Sequence, residues 1–167
     1  MQTLALPLRS YKPYLWATAF VAGNILFPQL FHAVGLGGKA FLPILFFTLI
    51  AASRFGVACG ILTAVASPLI NNLLFGMPGA EMLAVIVVKA VVLATVVGLF
   101  VQHKGRLTMG AGLLGVAHYQ VVRLAVFVPL PGSLSAAWGD VAISWPGMVL
   151  QLVAVWVLTR IPAGKEA

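Results

Sequence analysis

Residues 81–101 read EMLAVIVVKAVVLATVVGLFV: one acid at the edge, one lysine at position 89, and otherwise apolar or small side chains. Coiled as an α-helix, such a stretch is about 30 Å long, the thickness of a bilayer's hydrocarbon core. Polar and apolar residues do not alternate in it, so it reads as neither a half-buried strand nor a strand of a membrane barrel. A helix apolar on every side needs an apolar surround. The chain has too little polar surface to build a water-soluble shell around it.

The flanking sequence has the same character. The 167 residues are 62% hydrophobic and 8% charged, with a mean hydropathy of +1.08; soluble domains carry roughly 25% charged residues. In lipid the backbone must satisfy itself, which leaves helices once barrels are excluded. Further apolar runs cover 14–34, 41–53, 55–75, 107–128 and 141–161. The expectation is an all-α integral membrane protein, a six-transmembrane-helix bundle forming a single domain over 1–167. The second run is short and contains Pro43. As a helix, Lys39 to Arg54 spans only about 21 Å. Either this segment is tucked into the bundle or the glycine-rich Gly35–Lys39 connection dips into it, where Gly35, Gly37 and Gly38 lend freedom. The Pro-, Gly- and Ser-rich stretch 129–140 reads as a loop. The first run is too long for a signal-peptide core, so no cleavage is expected.

Basic residues in short loops face the cytoplasm. With the N-terminus inside, Arg9, Lys12, Arg54, Lys104, Arg106, Arg160 and Lys165 fall on the inner side and Lys39 alone on the outer. The bias sets an N-in/C-in topology in a cytoplasmic membrane. Trp138 and Trp145 then approach the outer interface, Trp16 and Trp156 the inner one, the levels at which tryptophan concentrates. The net charge of +7 does not point to nucleic acid, because no Lys/Arg-rich run exists. Cys59 stands alone, without a disulfide or metal-ligand partner in sequence.

Two basic residues remain, Lys89 and Arg123, both inside apolar runs and both in the outer half. A cation at the bilayer centre costs about 2.5–3.5 kcal/mol on insertion scales and is usually turned inward and used. Snorkelling to the outer headgroups is one alternative. Pairing with Glu81 or Asp140 is another, although Glu81 and Lys89 lie two helical turns apart. Gln29, His32, Asn71, Asn72, His118 and Tyr119 gather in the same half, and Tyr119 and Arg123 share a helix face. A net-positive polar cavity open to the outside accounts for them together and suits an anionic or carboxylate-bearing ligand. The bland reading of each His or Asn is a satisfied packing residue.

There is no Walker-type phosphate loop, no pair of carboxylates within a span, no nucleophile triad and no metal-ligand spacing, so neither an enzyme nor a cofactor is expected. Small residues at four-residue spacing, Thr18/Ala22, Ala19/Gly23, Gly56/Gly60/Ala64 and Ala111/Gly115, allow close helix approach, within the bundle or to a partner.

This pattern resembles the substrate-binding (S) component of energy-coupling factor (ECF) vitamin transporters. Gly35-Leu36-Gly37-Gly38-Lys39-Ala40-Phe41-Leu42-Pro43 is similar to the loop that enters the second helix of one branch, and Gly76-Met77-Pro78 to that branch's outer loop. The resemblance implies a subunit that binds a vitamin or related nutrient outside and docks on a transmembrane coupling subunit bearing two cytoplasmic ATPases. It also implies helix 1 as the docking face, where Ala19, Ala22 and Gly23 match. Leu45 stands where the branch often has a His, and Lys89 where it often has a carboxylate, which points to a different, anionic ligand. The expected site is Lys89 and Arg123 on the ligand's acidic group, completed by Asn71, Asn72, Tyr119 and His32, with Lys39 and Glu81 also among the binding residues and the loop from Gly35 to Leu42 as the gate. The alternatives are a ligand-free membrane scaffold or assembly protein, and a small channel or secondary transporter.

Overall fold

A computed structural model describes residues 9–33, 43–127 and 133–161. Among these residues there are five helices and no strand: α1 (Lys12–Ala33), α2 (Pro43–Phe75), α3 (Ala80–Lys104), α4 (Met109–Phe127) and α5 (Ser133–Arg160). Three described stretches are long and apolar enough to cross a membrane, Ile44–Phe75, Ala80–Lys104 and Val141–Arg160. The all-helical, membrane-suited character read from the sequence is therefore present.

The element α2 is not straight. At Gly56 the backbone takes φ 89°, ψ 177°, a conformation essentially confined to glycine. The chain turns back there. A Cβ on Gly60 would lie 2.7 Å from the Cβ of Ala52, and Phe47 and Ser67 meet neighbouring residues of α1, Gly23 and Asn24. In an unbroken helix Phe47 and Ser67 would stand about 30 Å apart. The expected break between the second and third runs thus lies at this corner.

One expectation is corrected. The stretch 129–140 is not a loop throughout, because α5 begins at Ser133. Past Pro131 and Gly132 the sequence is Ser-Leu-Ser-Ala-Ala-Trp, rich in residues that favour or tolerate a helix, and no proline interrupts it before Pro146.

Turns end the other helices locally. Gly76 and Gly105 take positive φ, 65° and 67°, at the ends of α2 and α3. The Asn72 side chain donates to the Pro78 carbonyl at 2.7 Å, and Met82 and Leu83 N–H bond the Gly79 carbonyl, so the α2–α3 connection is tight. At the start of α4, Thr108 Oγ1 accepts from Ala111 N–H.

The helices then pack through small residues. Gly60 sits against Ala94 and Gly98 against Val57, which makes α3 antiparallel to the second arm of α2. Gly115 meets Leu93 and Val97, and Gly112 meets Val155. Neighbouring helices pack in order, and α5 also touches α2, so α2 to α5 close into a ring with α1 mainly against α2. Leu49, Ala64, Ala90, Leu93, Val97, Ala111 and Val155 fill its interior. A lesser cluster of Ala17, Ala51 and Cys59 joins α1 to the corner, where Trp16 stacks on Phe55 at 4.4 Å.

These contacts bring the start of α1, the Gly56 corner and the ends of α3 and α5 to one end of the molecule. Lys12, Arg54, Lys104, Arg106 and Arg160 collect there, and Arg54 Nη2 donates to the carbonyls of Leu158 and Ile161, each at 3.2 Å.

Candidate functional site

Lys89 is the ninth residue after Ala80, so it lies about 14 Å from the start of α3 and about 22 Å from the basic end. It is turned inward and only 2% exposed, which removes snorkelling as an account of it. Its Nζ stands 5.8 Å from the centre of the Tyr119 ring on α4. The ring face is electron-rich, and a desolvated cation over it gains about 2 kcal/mol. The ring is fully buried, and its hydroxyl donates to Gln151 Oε1 on α5 at 3.4 Å. A lysine, a phenol and an amide from three consecutive helices therefore meet inside the ring.

The helix register explains the meeting. α3 and α4 run antiparallel with Gly115 against Leu93 and Val97, so one turn further on Tyr119 comes level with Lys89. α4 and α5 run antiparallel with Gly112 against Val155, which brings Gln151 to Tyr119 and Met148 to Gln120, whose Nε2 donates to the Met148 sulfur at 3.6 Å. The glycines set the spacing that lets these longer polar chains face one another.

Buried polar atoms without a hydrogen-bond partner lie on these two helices: Gln151 Nε2 within the cluster, Gln120 Oε1 next along α4, and Ser144 Oγ two turns from Gln151 on α5. Such atoms in a native interior call for an explanation, because each left unmade costs about 1–3 kcal/mol. Gln151 Nε2 and the Lys89 ammonium, each placed against Tyr119, are donors of the kind a carboxylate or another acceptor group takes.

A second polar seam joins α1 to α2. Asn24 Nδ2 donates to Ser67 Oγ at 2.8 Å, and Asn71 lies one turn from Ser67 on the same face. Asn24 Oδ1 and Asn71 Oδ1 lack partners, as does Gln29 Nε2. In the α2–α3 register Asn71 comes level with residues 82–84, more than one turn nearer the connection than Lys89.

Of the residues singled out from the sequence, Lys89 and Tyr119 are brought together, and Asn71 is buried apart from them, near the α1–α2 seam. Asn72 is committed to the α2–α3 turn through Pro78, and Glu81 is exposed in the first turn of α3. Lys39 lies outside the described residues; His32 and Arg123 lie on α1 and α4, with side chains outside the description. On the supposed docking face, Ala19 and Ala22 point outward, whereas Gly23 packs on the Phe47 ring. Of the small residues at four-residue spacing, Gly60, Ala64, Ala111 and Gly115 pack within the bundle, and Gly56 forms the corner of α2. Gln151 and Ser144 were not among the expected site residues. Their signal was a lone amide and a hydroxyl within an apolar run, and only the register of α4 and α5 says which neighbours they meet.

Comparison with protein-family models, with curated proteins and with solved structures gives no match.

Proposed function

We propose that the chain is a membrane-embedded nutrient-binding subunit, an S component of an ECF-type importer, taking a small vitamin-like, carboxylate-bearing ligand. The observation that carries this reading is the meeting of Lys89, Tyr119 and Gln151, with the amide nitrogen of Gln151 left unpartnered. A cation inside a membrane bundle is costly and is usually functional. Here it sits over an aromatic wall whose hydroxyl bonds an amide with an unpartnered nitrogen, nearer the end away from the basic cap. A carboxylate placed there accepts from the ammonium and from the amide.

On this reading the two arms of α2 are separate passes, the first of them short, and the bundle has six. The basic residues at one end then set N-in and C-in by the positive-inside rule, and the site opens toward the outside. Arg123, His32 and the loop carrying Lys39 belong to the same end by sequence and complete the site on this reading. ATP hydrolysis falls to partner ATPases, reached through a transmembrane coupling subunit that meets Ala19 and Ala22 on α1.

The test is a thermal-shift screen of the purified protein in neutral detergent against biotin, pantothenate, lipoate, niacin and neutral vitamins. A specific ligand at about 100 times its Kd adds about 2.7 kcal/mol of stability. A carboxylate compound that raises the midpoint in the parent but not in Lys89→Met is the expected outcome. If no compound shifts the midpoint, the ligand-free scaffold takes its place; a shift that survives in Lys89→Met removes the charge assignment.

A further inference from the structure

At the basic end, on the outward side of α4 and α5, Met109, Val149, Leu152, Val153 and Trp156 line an apolar groove of about 250 Å³. Its wall at the end of α5 is Trp156, half exposed, and the Arg160 guanidinium lies 4.8 Å from the centre of that indole. Arg54 holds the final carbonyls of α5, so the turn that carries Trp156 and Arg160 is fixed against the Gly56 corner. Exposed Arg106 lies three residues before Met109, in the connection leading to the groove's other wall.

We infer that this groove is a binding site for an anionic phospholipid, one acyl chain lying against Val149, Leu152 and Val153 and the phosphate held by Arg160. The indole between them has an apolar body and a polar edge, which suits the boundary between chains and headgroups. The charge argument selects the lipid. The groove opens where Arg54, Lys104, Arg106 and Arg160 collect, and among described residues no acid is found at that end. A zwitterionic headgroup carries no net charge to match this, whereas each basic residue at the surface favours an anionic one roughly five-fold. The inference is independent of the nutrient site: Gln151 is buried on the other face of α5 from exposed Val149 and Val153, about 14 Å along the helix from Arg160.

Tryptophan fluorescence tests it directly. A variant with Trp16→Phe, Trp138→Phe and Trp145→Phe keeps Trp156 as the sole indole, and lipids brominated on the acyl chain quench an indole they touch. In mixed vesicles, brominated phosphatidylglycerol is expected to quench Trp156 at a mole fraction at least about five-fold lower than brominated phosphatidylcholine. Arg160→Gln in this background is expected to shrink that preference about five-fold. Equal quenching by the two lipids, or a preference that Arg160→Gln leaves undiminished, overturns the inference. Native mass spectrometry of the parent chain and Arg160→Gln supplies a second readout without the tryptophan changes. Phosphatidylglycerol adducts should outlast phosphatidylcholine adducts by a wider margin in the parent than in Arg160→Gln, and equal retention in the parent also overturns the site.

Discussion

The ammonium of Lys89 stands 5.8 Å from the centre of the Tyr119 ring, both groups in the interior of the helical ring, and the Tyr119 hydroxyl bonds Gln151 on the next helix. Substitutions at Lys89 and Tyr119 should therefore differ in effect. Lys89→Met removes the ammonium and leaves an apolar chain of similar length over the Tyr119 ring. We expect the loss of the cation–π contact to lower the unfolding midpoint by the equivalent of about 2 kcal/mol, with ligand stabilisation lost. Tyr119→Phe keeps the ring and removes one long hydrogen bond, at a cost of about 0.5–1 kcal/mol. Tyr119→Ala empties a fully buried aromatic site and should cost about 3–5 kcal/mol. Equilibrium unfolding in detergent, followed by circular dichroism, measures all three.

The corner at Gly56 makes a second prediction. A side chain at φ 89°, ψ 177° is strained by about 1–3 kcal/mol, so Gly56→Ala should destabilise by that amount. Gly60→Ala should cost about 1–3 kcal/mol for another reason, because its Cβ would meet Ala52 backbone at 2.9 Å. Gly139, in α5, has open space at its Cβ position, and Gly139→Ala should gain about 0.5–1 kcal/mol. The same unfolding assay ranks the three; a neutral Gly60→Ala would mean that the two arms of α2 do not close on each other.

Arg54 reaches across the basic end to the last carbonyls of α5. Its charge lies where the helix dipole is negative. Arg54→Gln should lose about 1.5–3 kcal/mol, the range for hydrogen bonds to a charged group. Hydrogen exchange locates the effect: amides of residues 157–161 should exchange faster, while those around Tyr119 stay protected.

Orientation is open to labelling. The only cysteine, Cys59, is buried. In a Cys59→Ala background, Met77→Cys lies on the α2–α3 connection and Lys104→Cys at the basic end of α3, both at exposed positions. A membrane-impermeant maleimide added to intact cells should modify the first and spare the second until the cells are opened. The reverse pattern would invert the topology and place the candidate site on the cytoplasmic side.

Much of this was legible from the order of residues alone. The length of the apolar runs and the scarcity of charge impose helices and a lipid surround, because a backbone in hydrocarbon must bond to itself. The position of Lys89 within 81–101 marks a polar interior for a similar reason: a cation in that setting must find company. The gathering of basic residues at one end was likewise expected from loop spacing. Helix ends were less legible. The start of α5 at Ser133 lies within a stretch that Pro, Gly and Ser made look like a loop, whereas Leu134, Ala136 and Ala137 in the same stretch favour a helix.

What only the tertiary structure decided is which residues meet. Composition and periodicity carry no information on the rotation of one helix against another; that is set by where backbones can approach, at Gly60, Gly98, Gly112 and Gly115. Once those contacts fix the register, Gln151 is carried to Tyr119, Asn72 is committed to the Pro78 carbonyl, Gly23 is covered by Phe47, and Arg54 closes the end of α5. A sequence determines what each segment must avoid, which here is water for the apolar runs and lipid for Lys89. Packing of unequal side chains around small ones determines the company each residue keeps.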